Sequence, residues 1–122
     1  MRYLDRILLF VVVLGLLSCA QLQGIDPRIV GSWQTVEWKI EKTNELIPLK
    51  MEFHFDSSGY YKVDYGNSVE EGTYYIQGER LYTTEKGQAQ KYVQIVQLSE
   101  DTMRLRMNRA GRLELLTLVK KR

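Results

Sequence analysis

The sequence predicts an all-β domain, a small up-and-down antiparallel β-barrel of about eight strands, behind a cleaved signal peptide. Three observations predict it. After Gly31 no stretch of about ten residues sets apolar side chains at i, i+3, i+4 and i+7, the pattern of a packed helix. Apolar and polar residues alternate instead, as on a strand with one dry and one wet face. The breaks between the alternating runs are a few residues long, which suits antiparallel neighbours, because a parallel crossover takes about a dozen residues or more. A meander of this kind can close on itself and so remove the two edges that would otherwise invite aggregation; two stacked sheets of the same strands are the alternative.

The N-terminus reads as an address. Met1 to Arg6 carries two arginines and one aspartate, and the apolar run Ile7 to Leu17 has eleven residues. As a helix that run would reach roughly 17 Å, short of the ~30 Å hydrocarbon core a spanning segment must cross. A buried helix would need a polar face, and the run has none. It has the length of a signal-peptide hydrophobic region. Leu16-Leu17-Ser18-Cys19 follows where a signal peptidase would cut, and it resembles the lipobox of bacterial lipoproteins. The resemblance implies cleavage between Ser18 and Cys19, a diacylglycerol thioether on the Cys19 thiol, and acylation of its new amine, with palmitate a typical chain. Two or three chains give lasting attachment where one gives only marginal binding. The expected organisation is a lipoprotein signal peptide over 1–18, a lipidated tether over 19–28 and the barrel domain over 29–122. The tether Ala20 to Gly24 lacks the aspartate that marks inner-membrane retention in enteric lipoproteins. The expected location is therefore the cell envelope, on the outer membrane facing the periplasm.

Along the domain, Asp26-Pro27-Arg28-Ile29-Val30 can begin one helical turn, with Asp as the N-cap and Pro first in the helix, and Gly31 ends it. Ser32 to Ile40 is the first strand. The clearest alternation is Leu49 to Asp56, where Leu49, Met51, Phe53 and Phe55 share one face and Lys50, Glu52, His54 and Asp56 the other. Asp56-Ser57-Ser58-Gly59 supplies a turn. Tyr60 to Tyr65 returns with Tyr61, Val63 and Tyr65 on one side, which completes a hairpin. Further strands are expected over Val69 to Ile76, Arg80 to Thr84, Gln90 to Leu98, Thr102 to Met107 and Arg112 to Val119. The expected dry face holds Val36, Trp38, Ile40, Met51, Phe53, Phe55, Tyr61, Val63, Tyr65, Met103, Leu105, Met107, Leu113 and Leu115: apolar, bulky and uncharged.

Gly31-Ser32-Trp33 at the head of the first strand resembles the Gly-x-Trp opening of lipocalins. Phe53 to Tyr61, Glu71-Gly72-Thr73-Tyr74-Tyr75 and Leu81-Tyr82-Thr83-Thr84 are similar to segments of the small lipocalin-like domains of bacterial lipoproteins. The resemblance covers about Ile29 to Lys120. It implies that Trp33 packs across a closed barrel end under an arginine of the last strand, for which Arg112 is the candidate. The chain departs from a typical lipocalin in being shorter, in lacking a cysteine pair and in showing no helix after its last strand. The expected function is that of a non-catalytic envelope lipoprotein binding a small apolar or lipid-derived ligand. Trp33, Trp38, Phe53, Phe55, Tyr61, Tyr65, Met103 and Leu105 are the candidate lining, and tyrosine hydroxyls would orient the ligand. The alternative is a solid barrel that binds or inhibits another envelope protein.

Composition narrows the rest. Seventeen Lys and Arg against fifteen Asp and Glu leave a net charge of +2 with no basic stripe, so nucleic acid is not an expected partner. One Cys and one His supply neither a disulfide framework nor a zinc box, and no phosphate-cradling loop or cofactor motif occurs. His54, Asp56, Ser57 and Ser58 bring hydrolase residue types together, but on the expected wet face and without a nucleophile elbow. Glu70 and Glu71 are adjacent and point to opposite faces, so they cannot work as a glycosidase pair and read as solvated charge. Arg104 and Arg106 flank Leu105 and face outward if Met103, Leu105 and Met107 face in. Lys120-Lys121-Arg122 reads as a solubilising end, with contact to anionic lipid head groups as the alternative.

Overall fold

A computed structural model describes residues 25–122. Eight strands run in chain order: β1 (Gly31–Ile40), β2 (Glu52–Phe55), β3 (Tyr60–Asp64), β4 (Val69–Gln77), β5 (Arg80–Glu85), β6 (Lys91–Leu98), β7 (Thr102–Arg109) and β8 (Arg112–Lys120). Each pairs antiparallel with the next, and β1 pairs with β8, so the sheet closes into an up-and-down barrel. The sequence-predicted strands all form, most with ends within a residue or two of those expected. β2 is the shortened one: Leu49 and Met51 lie before its first residue. Among the described residues all eight strands are paired and a hydrophobic core is assembled.

The turns follow from local chemistry. Asp56 receives Ser58 N–H at 3.0 Å, Ser58 O–H at 2.9 Å and Tyr60 N–H at 2.9 Å on one carboxylate oxygen, while Gly59 takes the positive φ of 95° that the β2–β3 hairpin needs. Asp26 starts a single turn, accepting Arg28 N–H on its side chain and Ile29 N–H on its carbonyl. That turn is bonded to the barrel: Arg28 donates to Leu98 O at 3.0 Å, and Ile25 packs against the core.

One bulge and one strand phase depart from the expected inward faces. Thr35 pairs with Leu118 but Glu37 with Thr117, so Val36 is the extra residue and points out, 55% exposed, against the expectation that it lies inside. Trp33 and Thr35 precede the bulge and Trp38 follows it, all buried. Thr35 fixes the turn inward by donating to Met51 O at 2.9 Å and accepting Met51 N–H at 3.1 Å. In β8 the expected phase is also reversed. Leu113 is exposed against expectation; Leu115 is buried as expected but lies outside the core cluster, while Glu114, Leu116 and Leu118 are almost wholly buried. Five apolar residues among the nine of that strand, two of them adjacent at Leu115 and Leu116, make its alternation unreadable, and pairing with β1 and β7 decides it.

The two barrel ends differ. At the closed end, Ile29, Trp33 and Met103 are fully buried beside Phe55 and Leu118. Trp33 donates its indole N–H to Ile29 O at 2.8 Å. Lys120, not Arg112, lies over the Trp33 ring, its Nζ 5.0 Å from the centroid and donating to Arg28 O at 2.9 Å. Lys120 is thus a cap rather than part of a solubilising end, and Lys121 pairs with Glu52 at 3.0 Å. Arg112 begins β8, at the opposite end, which we call the mouth.

Candidate functional site

Between the mouth and the closed end the barrel holds a cavity of about 510 Å³. Eight strands leave space either for packed side chains or for one small ligand, and this volume lies in the range of ligand pockets, roughly 300 to 1,000 Å³. Trp38, Phe53, Phe55, Tyr61, Tyr65 and Leu105 line it, joined by Met51, Val63, Leu81, Met107 and Leu116. Trp33 and Met103 do not; they lie in the closed end beneath it. Phe55 anchors the floor, stacked 6.1 Å from Phe53 and edge-on to Tyr74 at 5.0 Å.

The interior is not uncharged. Glu70, read from sequence as solvated, projects into the cavity, where it accepts the Tyr61 hydroxyl at 2.6 Å and the Tyr65 hydroxyl at 2.9 Å and meets Lys91 Nζ at 3.5 Å. Its strand phase explains the error: Glu70 alternates with Gly72 and Tyr74, and Tyr74 is buried. Burial opposes ionisation of Glu70, yet the two hydroxyls and the Lys91 ammonium outweigh it and hold the carboxyl below its usual 4.5. Burial, followed by the Glu70 carboxylate, pushes both tyrosine hydroxyls above the ordinary phenol range. The tyrosines therefore stay donors, and their hydroxyls are committed to Glu70.

Glu114 is the second interior carboxylate and is wholly buried. Trp38 Nε1–H donates to it at 2.9 Å, Arg112 donates two bonds at 2.7 and 2.9 Å, and Arg109 reaches it at 3.4 Å. Arg112 thus holds a mouth carboxylate instead of covering Trp33. No sequence signal separated Glu114 from surface acids; the β8 phase alone places it inside.

The residues of the hydrolase pattern are engaged elsewhere. His54 Nδ1 lies 2.7 Å from Ser32 Oγ, and the Asp56 carboxylate is taken up by its own turn. Arg106 faces away from the cavity, its guanidinium on Glu41 at 2.8 to 3.1 Å. Ser18 and Cys19 lie outside the described residues. Among the described residues no three His, Cys, Asp or Glu side chains form a group able to hold a metal, and no helix is long and apolar enough to cross a membrane.

The conserved pattern of the lipocalin-like domain matches residues 29–105, more than half of the chain. The chain belongs to the lipocalin-like family. In the solved structures it is similar to a lipocalin-like protein from Bacteroides uniformis ATCC 8492, with a TM-score of 0.60 and 16% identity over 77% of this chain and 99% of that one. At that identity the likeness concerns the fold alone. No curated protein matches the chain. This lipocalin-like barrel keeps a cavity of about 510 Å³ although the chain is short.

Proposed function

We propose that this chain is a non-catalytic, lipid-anchored envelope protein that binds one small, largely apolar molecule in its barrel. The observation that carries the reading is the cavity of about 510 Å³ walled by aromatic and aliphatic side chains. A solid-barrel interaction module would need that space filled. A few fixed polar groups, Glu70 among them, suit the recognition of one end of a ligand otherwise held by apolar contact.

Anchoring rests on the sequence, with Cys19 as the site of acylation. Cys19 precedes Ile25 by six positions, at most about 20 Å of extended chain. Ile25 packs at the closed end, next to Gly59. The anchor therefore ties the closed end to the bilayer, and the mouth opens away from it, so the ligand exchanges with the aqueous side. On the outer membrane that side is the periplasm.

Native mass spectrometry of residues 25–122 from cell extract tests binding: a co-purified small molecule, or saturable uptake of an apolar probe, is expected. A bare mass with no uptake contradicts it. Metabolic labelling with a palmitate analogue should mark the parent and leave Cys19→Ala unmarked; an unlabelled parent removes the anchor.

A further inference from the structure

The wall of the barrel is parted beside the mouth. The β6–β7 ladder runs from Leu98↔Met103 to Gln94↔Arg106 and stops there. Beyond that point Lys91, Tyr92 and Val93 pair only with β5, and Met107, Asn108 and Arg109 only with β8. All six line the cavity. Successive residues of a strand point to opposite faces, and with no ladder joining the two strands here, consecutive residues of both border the cavity where it opens between them.

Continuing the register sets Lys91 opposite Arg109 across this slot, two like charges where cross-strand neighbours ordinarily avoid them. The ion pairs are long: Lys91 meets Glu70 at 3.5 Å and Arg109 meets Glu114 at 3.4 Å, with Arg109 also 5.7 Å over the Trp38 ring and both side chains more than half exposed. The two carboxylates have shorter bonds from other donors, Glu70 from two tyrosines at 2.6 and 2.9 Å and Glu114 from Trp38 and Arg112 at 2.7 to 2.9 Å. Lys91 and Arg109 can therefore turn to a ligand and leave neither acid without a partner. None of the six slot residues is acidic.

We propose that the slot receives the anionic head, carboxylate or phosphate, of an amphiphile whose apolar body lies in the cavity, with Lys91 and Arg109 gripping the head from the two sides of the parted wall. The proposal rests on the ligand-binding reading above and adds the class of ligand and the place of its head.

The test uses residues 25–122 and the neutral fluorescent probe N-phenyl-1-naphthylamine, displaced by decanoate, monodecyl phosphate, decanol and decylamine. One anionic head should displace the probe at about tenfold lower concentration than decanol, as charge-assisted bonds warrant, and the better of the two assigns carboxylate or phosphate. In a Lys91→Met, Arg109→Met variant that still binds the probe, the preference should fall to about threefold or less. A preference for decylamine or decanol, or an anion preference unchanged in the variant, overturns the proposal and leaves the ligand reading intact. Calorimetry that detects neither probe nor decanoate overturns both.

Discussion

Trp38 donates its indole N–H to the carboxylate of Glu114 at 2.9 Å, joining β1 to β8 inside the barrel wall beside the mouth. The acid is fully buried, and Arg112 covers its other oxygen at 2.7 Å. Glu114→Ala leaves the indole donor unmet and two arginines without their acid, a loss of about 3 kcal/mol. Glu114→Gln keeps an acceptor and should cost about 1 kcal/mol. Urea unfolding midpoints of the two variants check the difference; equal losses would show that Glu114 contributes through its charge and not as the acceptor for Trp38.

Gly72 permits the close approach of β4 to β5. A Cβ built there would stand 2.0 Å from Thr84 O and 2.8 Å from its carbonyl carbon, both backbone atoms that cannot swing aside. Gly72→Ala is expected to cost about 3 kcal/mol or more through overpacking. A melting temperature within a few degrees of the parent would contradict this.

Ala110 and Gly111 make the two-residue turn between β7 and β8, with φ of 54° and 86°. Asn or Gly is the usual first residue of such a turn, and Ala bears the steric cost of its Cβ. Ala110→Asn should stabilise the protein by about 1 kcal/mol, read as a raised urea midpoint.

Stability should fall on both sides of neutrality through the Glu70 group. Glu70 is held below its usual 4.5, so its contribution is present above that value and is lost as pH drops through the lowered folded value. Tyr61 and Tyr65 are raised above their usual 10.0, so theirs is present below about pH 10 and is lost as pH climbs toward the raised folded values. Chemical unfolding across pH checks both limbs: Tyr65→Phe should soften each of them, and unchanged limbs would show that Glu70 does not hold its proton off through the tyrosines.

The fold was legible in the chain because strand phase and turn chemistry agree along most of it. Leu81, Met103 and Leu105 alternate with polar neighbours, and Asp56-Ser57-Ser58-Gly59 can only be a turn. The interior was less legible where a residue slips out of phase. The bulge at Val36 moved one valine outward, and the leucine-rich β8 hid Glu114 until its partners were known. Six of the eight aromatic and aliphatic candidates line the cavity because they lie above its floor; Trp33 and Met103 belong to the same dry face but to the plugged end. Depth along a barrel axis has no periodic signature, and neither does a parted ladder, so the slot at Lys91 and Arg109 could not be read from spacing.

Titration of residues 25–122 with N-phenyl-1-naphthylamine, beside a Met107→Trp variant that fills the cavity from its wall, tests the central claim most directly. Saturable, stoichiometric fluorescence in the parent, lost in the variant while its urea midpoint stays close to the parent's, is the expected result. A parent that takes up no probe, or a filled variant that takes it up equally well, would contradict a ligand site inside the barrel.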